Sequence, residues 1–293
     1  MIIVILILVL QEGEKEQHME KGKLIVIEGT DCSGKETQSK KLIERLNNEG
    51  IETIYFSYPA YQTPTGRIVG LPYLGKPYLA EELIREYANT VKNELKKKYP
   101  EKYSEAMVEL TMTSLIEHLS HGWFPEGAPN VDPKISSLYY IADRGYNTPF
   151  VLETLEKGTN IILDRYSYSN MAHQGGKLAT PEERNAMYEW LNKMEFEMMG
   201  LPHSDVKLFL HMPTDYASFL RAGRREKLDE NERDVKHLYN AERAYIEVAN
   251  RYGFETIECV KKLSEEPKFE DIKTPDEIHE EVYGIVKKKL TLK

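Results

Sequence analysis

Short apolar runs along the chain alternate with longer segments whose apolar positions recur every three or four residues. The runs at 23–28, 52–56, 160–164, 206–210 and 255–260 read as strands. Most are apolar at successive positions, the pattern of strands covered on both faces. Strand and helix periods taking turns along a chain predict an α/β fold, a parallel sheet flanked by helices. Two helix starts carry their own punctuation. Thr180-Pro181-Glu182-Glu183 and Thr274-Pro275-Asp276-Glu277 each place an N-cap threonine before proline at the first helical position and glutamate at the third. This is a capping box with a preset first turn, and it predicts helices over about 181–199 and 275–289.

Residues 78–121 are helical in pattern but unusual in position. Leu79, Leu83, Tyr87, Val91 and Leu95 form one stripe, and Val108, Met112, Leu115 and Leu119 form another, with Tyr99-Pro100 between them. The Gly/Pro-rich "GWFPEGAPNVDPK" follows, carrying Trp123 and Phe124. The expectation is an inserted helical hairpin and loop over 78–133, with packing as its ordinary role and specific binding as the alternative. No internal repeat or low-complexity tract interrupts the chain.

Composition narrows the class. The 293 residues are 41% apolar, enough for a core, and 30% charged. The net charge of −9 argues against a nucleic-acid binder, which ordinarily presents a basic face. Any anionic ligand must therefore meet cations gathered locally. The two cysteines, Cys32 and Cys259, show no disulfide framework, so a reducing cytoplasm is the simplest compartment. The N-terminal "MIIVILILVL" is shorter than the roughly 20 residues that span a bilayer, and it lacks a basic leader and a small-residue cleavage site. Residues 1–21 are expected to be an extension outside the fold, with Met19 as an alternative start. A membrane or partner contact is the other reading. Residues 22–293 are expected to form one domain.

The strongest chemical signal is "IVIEGTDCSGKETQ". Gly29 and Gly34 bracket Thr30, Asp31, Cys32 and Ser33, and Lys35 follows. A strand precedes the loop and helical spacing follows it, as a phosphate-binding loop requires. Glycines let backbone N–H groups turn towards phosphate oxygens, and the helix N-terminus adds partial positive charge. Lys35 is then placed to reach the β- and γ-phosphates. A second constellation begins at residue 160, where an apolar strand ends in Asp164 and Arg165. Ligands of open parallel sheets bind beyond the carboxyl ends of strands. Asp164 is thus placed to hold magnesium and Arg165 to fork onto a phosphate.

Together with "FSYPAY", "LYYIADR", "LDRYSYSNMAHQG" and "LRAGRREKLDENERD", in that order over most of residues 22–262, these blocks make the chain resemble the thymidylate kinases. The resemblance implies a P-loop kinase fold with a five-stranded parallel sheet, a lid at about 220–234, ATP as phosphoryl donor, Mg²⁺, dTMP as acceptor and a homodimer. It implies that Tyr140 stacks on the base, that Arg144 donates to a base carbonyl and that Asn170 meets the remaining polar edge. His173 stands where relatives often have tyrosine near the sugar C2′, and Gln174 joins the substrate group. Tyr58 would lie against the sugar and Tyr61 near its phosphate. Asp31 would contact the acceptor side or the metal shell. In the lid, Arg221 would touch ATP. Because the phosphate loop holds no arginine, the cationic donors to the transferring phosphoryl would be Arg224 and Arg225. Glu232 matches an acidic position near the metal.

One position departs from the expected loop. Glu36 follows Lys35 where a hydroxyl is usual, and Thr37 supplies one a residue later. A carboxylate is a good ligand for Mg²⁺ and is also favourable in the first turn of a helix. Glu36 therefore either joins Asp164 in the magnesium shell or points outward. Two rival functions stand beside dTMP phosphorylation. One is a kinase for another pyrimidine monophosphate, such as dUMP, or one with relaxed sugar selection. The other is a nucleotide-binding regulator without turnover.

Overall fold

The computed structural model describes residues 20–221 and 234–291. Five strands, β1 (Leu24–Gly29), β2 (Thr53–Ser57), β3 (Asn160–Asp164), β4 (Val206–His211) and β5 (Glu255–Glu258), form one sheet in the order β2-β3-β1-β4-β5. Every pairing is parallel. Central β1 is buried at all six positions, whereas edge strand β5 buries one, Ile257. Alternation divides each strand between two cores. Leu24, Val26, Ile161, Leu163 and Phe209 enter one; Ile25, Ile27, Ile162, Leu208 and Leu210 enter the other.

Ten helices among the described residues complete the chain: α1 (Lys35–Asn48), α2 (Pro64–Ile68), α3 (Pro77–Lys98), α4 (Glu105–Leu119), α5 (Pro133–Glu156), α6 (Ser167–Gly176), α7 (Pro181–Asn192), α8 (Thr214–Arg221), α9 (Val235–Tyr252) and α10 (Pro275–Thr291). Helices α1 and α6 follow neighbouring strands β1 and β3 but pack on opposite faces. Leu42 and Leu46 of α1 join one core, and Tyr168, Met171 and Ala172 of α6 join the other. Their diverging starts open a crevice at the carboxyl ends of β1 and β3, the switch point where such sheets bind ligands.

Both capping boxes are formed. Glu183 N–H donates to Thr180 Oγ1 at 3.2 Å while Thr180 N–H donates back to the Glu183 carboxylate at 3.0 Å. Thr274 and Glu277 repeat the exchange. The first predicted helix differs in its second half. At Asn192 it passes into a wider π-helical turn, Lys193–Met198. That turn buries Glu195 completely. The inserted segment folds as α3 against α4, joined by an ion pair between Lys92 and Glu109. A groove of about 530 Å³ lies between them, lined by Tyr87, Val91, Leu95, Tyr103 and Met112 among others. The aromatic loop then returns to the body, where Phe124 packs edge-on against Tyr73 and Tyr139.

Candidate active site

The loop after β1 is held from two sides. Thr30 Oγ1 donates to Met212 O at 2.6 Å and accepts from Met212 N at 2.8 Å. Glycine is needed at position 29, since a Cβ there would lie 2.4 Å from Ser33 Oγ and 2.7 Å from Leu210 O. Gly34 (φ 80°) and, less ordinarily, Cys32 (φ 57°) adopt the left-handed conformation. A left-handed non-glycine residue is strained, a feature that concentrates at functional sites. The Cys32 thiol donates to Asp31 Oδ2 at 3.4 Å, and the buried Cys259 thiol reaches Ser33 O at 3.8 Å. Burial pushes Cys259 up to about 12.

Lys35 is folded back into its own loop. Its Nζ donates to Gly29 O at 2.9 Å and Thr30 O at 2.8 Å, with Ser33 Oγ at 3.5 Å. Burial, reinforced by the positive charge of Arg165, pulls its pKa down to about 8 against the opposing pull of Asp164, Asp31 and Glu28. Asp31 also accepts from Arg221 Nε at 3.3 Å, while Arg221 Nη2 is buried without a hydrogen-bond partner. The lid position Arg221 and the loop position Asp31 are thus together. Arg224, Arg225 and Glu232 lie outside the described residues.

Beyond β3, Asp164 Oδ2 accepts from the Tyr55 hydroxyl at 3.2 Å, and buried Oδ1 has no hydrogen-bond partner. Burial raises the Asp164 pKa, with Lys35 and Arg165 opposing. Arg165 is left-handed too, at φ 65°. Burial works against its charge, but Tyr245, Asp164, Glu28 and Asp31 outweigh that cost and its pKa rises. Its Nη1 reaches the Tyr245 hydroxyl at 3.4 Å. Glu28, the residue before the loop, accepts from Tyr166 N at 2.8 Å, from Ser169 N at 3.0 Å and from Ser169 Oγ. Burial lifts it to about 7. Ser169 Oγ and Tyr245 OH, 2.8 Å apart, close the ring of contacts back to Arg165. Lys35, Arg165 and the orphaned Asp164 oxygen therefore converge at one crevice, as the spacing of the two motifs predicts. An unpartnered buried carboxylate oxygen beside two cations fits a hard cation such as Mg²⁺ carried with phosphates.

Glu36 lies elsewhere. Its side chain is 65% exposed and meets Lys40 Nζ at 2.5 Å, one helical turn on. The outward alternative describes this geometry, because a first-turn glutamate with lysine four residues later pairs along the helix surface. Glu36 nevertheless acts on Asp164 through its charge. Thr37 is exposed on the same turn.

A second buried polar group is built on α5 and α6. Arg144 is buried and gives Nε and Nη2 to the Glu195 carboxylate, the latter at 2.7 Å. Asn170 Nδ2 donates to Glu195 Oε1 at 3.1 Å. Asn170 Oδ1 and both polar atoms of Gln174, one turn later, are buried without partners. Such atoms are costly unless something completes them. Tyr58 is buried beside this group, its ring tilted against Tyr166 at 6.1 Å. Asp143 fastens the preceding loop by accepting from Ala60 N at 2.9 Å and Thr65 Oγ1 at 3.0 Å.

Three further residues expected at the substrate have these neighbours. Tyr140 lies edge-on to Tyr73 at 5.7 Å, in the aromatic cluster under the inserted loop. Tyr61 packs into the root of the insertion with Leu71, Leu79 and Ala80, and edge-on to Tyr78. His173 stacks on His237 with Nδ1 and Nε2 3.2 Å apart. Burial, then the charges of His237, Arg165, Lys35 and Lys177, pull its pKa well below the usual value. Lys177 joins α6 to the loop before α5, donating to Ala128 O and Val131 O at 2.9 Å each and to Ser136 Oγ at 3.1 Å.

Glu28, Glu195, His237 and Tyr245 went unnoticed in the sequence. They reach the site through tertiary packing that local spacing does not mark. For Glu195 a faint signal exists: it stands 25 residues after Asn170, on a helix marked at its start but not at its end.

A phosphate-loop motif, a paired Asp-Arg at the end of the adjacent strand and a buried polar group beyond them, on a fully parallel five-stranded sheet, define a P-loop nucleotide kinase. The sequence model of the family described as thymidylate kinase matches residues 27–73 and 89–268. The chain belongs to the thymidylate kinase family, whose activity is ATP-dependent phosphorylation of dTMP to dTDP. It is 25% identical to the thymidylate kinase of Dictyostelium discoideum, covering 82% of this chain and 87% of the relative. It is 27% identical to that of Plasmodium falciparum, covering 84% and 86%. A probable thymidylate kinase of Pyrococcus abyssi is 24% identical over 92% of this chain and 98% of its own. The solved thymidylate kinase of Candida albicans superposes with a TM-score of 0.56 at 20% identity, covering 92% of each chain, which establishes the shared fold.

Proposed function

We propose that the chain transfers the γ-phosphoryl group of ATP to dTMP, giving ADP and dTDP. What supports this reading is the electrostatic coupling of Lys35 with Arg165 and Asp164, the buried, unpartnered Asp164 oxygen, and the buried, unpartnered amide atoms of Asn170 and Gln174 on the helix that follows β3. In the reaction an oxygen of the dTMP phosphate forms a bond to Pγ as the bond from Pγ to the β,γ-bridging oxygen breaks, its electrons leaving on ADP. A phosphate monoester with a second pKa near 6 is already largely a dianion at neutral pH, so no strong base is required. Catalysis is then positioning and charge stabilisation.

The chain's own residues divide that work. The backbone of residues 29–35 and Thr37 cradle the donor phosphates, and Lys35 leaves its two carbonyls to meet them. Arg165 holds the acceptor phosphate or the group in transfer. Asp164 would hold Mg²⁺, which supplies charge neutralisation to the donor phosphates when bound. Arg221 and Asp31 bring the lid to the loop, and Arg224 and Arg225 supply cations to the transferring group. Replacing Arg224 or Arg225 with alanine should lower kcat far more than it weakens dTMP binding; an unchanged kcat in both would remove them from this role. Arg144, Asn170 and Gln174 meet the base, Tyr58 the sugar.

The chain also carries a face suited to a second copy. Ile135, Leu138, Tyr146 and Phe150 recur along one side of α5, each about half exposed, with Ile68 beside them. We read this stripe as the homodimer contact. The functional reading is tested by ADP release from ATP and magnesium across a panel of nucleoside monophosphates. Turnover of dTMP well above UMP, CMP and purine nucleotides is expected. Equal turnover of dUMP or UMP would favour relaxed selection, and ATP binding without ADP formation would favour a regulator.

A further inference from the structure

Glu195 sits buried between Arg144 and Asn170 although no motif points to it. Its carboxylate takes two nitrogens of Arg144 and the amide nitrogen of Asn170. The same Asn170 nitrogen also faces the backbone carbonyl of Ser137 at 3.4 Å. Both neighbours are acceptors, so the atom between them must be the NH₂ group. The Asn170 oxygen is thereby turned the other way, and it is buried with no hydrogen-bond partner. Arg144 has meanwhile given Nε and Nη2 to Glu195, leaving Nη1 to donate elsewhere.

We infer that Glu195 is a positioning residue for base selection: it locks the Asn170 amide so that the pocket offers an acceptor beside an arginine donor. That array matches a ring N–H next to a carbonyl, the edge of thymine and uracil. Cytosine presents the reverse, a bare ring nitrogen beside an amino group, and would leave two buried acceptors or donors facing their own kind. The inference rests on the dTMP kinase reading above and adds how the base is chosen. The π-helical turn at Lys193–Met198 is what carries Glu195 inward.

Glu195→Gln tests it. The new amide has one acceptor where three donors converge, so a donor meets a donor and Asn170 is free to turn over. The expected result is a fall of at least about tenfold in the ratio of kcat/KM for dTMP to that for dCMP. The loss should come chiefly through a higher KM for dTMP, with the dTMP to dUMP ratio held within about twofold, since those bases share the edge being read. A general loosening of the fold would move all three substrates together. An unmoved dTMP to dCMP ratio overturns the inference while leaving dTMP kinase activity standing. Wild type unable to phosphorylate dTMP overturns both. Wild-type enzyme is also tested with the N3-methyl derivative of dTMP, which checks without any variant that the ring N–H is read, the premise on which the role of Glu195 rests. Its kcat/KM should fall at least about tenfold below that of dTMP; turnover equal to dTMP overturns the inference.

Discussion

Lys35 is held folded back into its own loop. Its ammonium is bonded to two carbonyls of the loop it serves, and burial has brought its pKa down to about 8. The charged form is the one that binds phosphate, and it predominates below that pH. ATP affinity should therefore be level between pH 6 and 7 and weaken as pH rises through about 8, where the free enzyme loses the proton that binding requires. Calorimetric titration across pH 6–9.5 checks this, and an affinity unchanged at pH 9.5 would mean that Lys35 stays charged. Glu36→Ser should leave the magnesium dependence of the rate as it is, since Glu36 is turned to Lys40; a shifted titration would restore Glu36 to the metal. Lys35, Asp164 and Arg165 were legible in the sequence because each sits at a fixed offset from a strand end. Glu28 and Tyr245 were not, because they reach Arg165 through packing between β1, α6 and α9.

At the scale of elements, strands were read well because burial on both faces leaves continuous apolar runs, and the ends of the first four fall within one residue of expectation. The edge strand β5 was the exception, ending two residues short of the expected 260, where Val260 instead bridges Ile272. The helix beginning at Thr180 shows the opposite limit. Its start was written in the capping box, whereas the π-helical turn that redirects Glu195 leaves no periodic trace. Removing the cap with Thr180→Ala should cost about 1 kcal/mol in chemical denaturation, by loss of the bond to Glu183 N–H. Lys177 has the larger reach. It ties α6 to the loop that carries the insertion, and burial lowers its pKa to about 8. Lys177→Met leaves the carbonyls of Ala128 and Val131 without that donor, at about 1–3 kcal/mol. Faster hydrogen exchange over residues 124–136 and a raised KM for dTMP are expected; unchanged exchange would separate the insertion from the site.

The whole molecule is an acid that binds acids. With a net charge of −9 it must gather cations where two phosphate groups meet, and the switch point of the sheet is where it does so. The architecture followed from the alternation of strand and helix periods. Which copy or segment covers the exposed stripe on α5 did not, because apolar spacing is the same for a core face and a contact face. Phe150→Glu should convert a dimer to a monomer in analytical ultracentrifugation, and an unchanged sedimentation coefficient would place any dimer contact elsewhere. Meeting of donor and acceptor in one crevice is tested most directly by incubating the enzyme with ATP labelled in its γ-phosphate, magnesium and dTMP, with Lys35→Ala in parallel. Label should pass into dTDP with wild type and be reduced by orders of magnitude in the variant. Label released only as free phosphate, or equal transfer by both proteins, would contradict a dTMP kinase centred on Lys35 and Arg165.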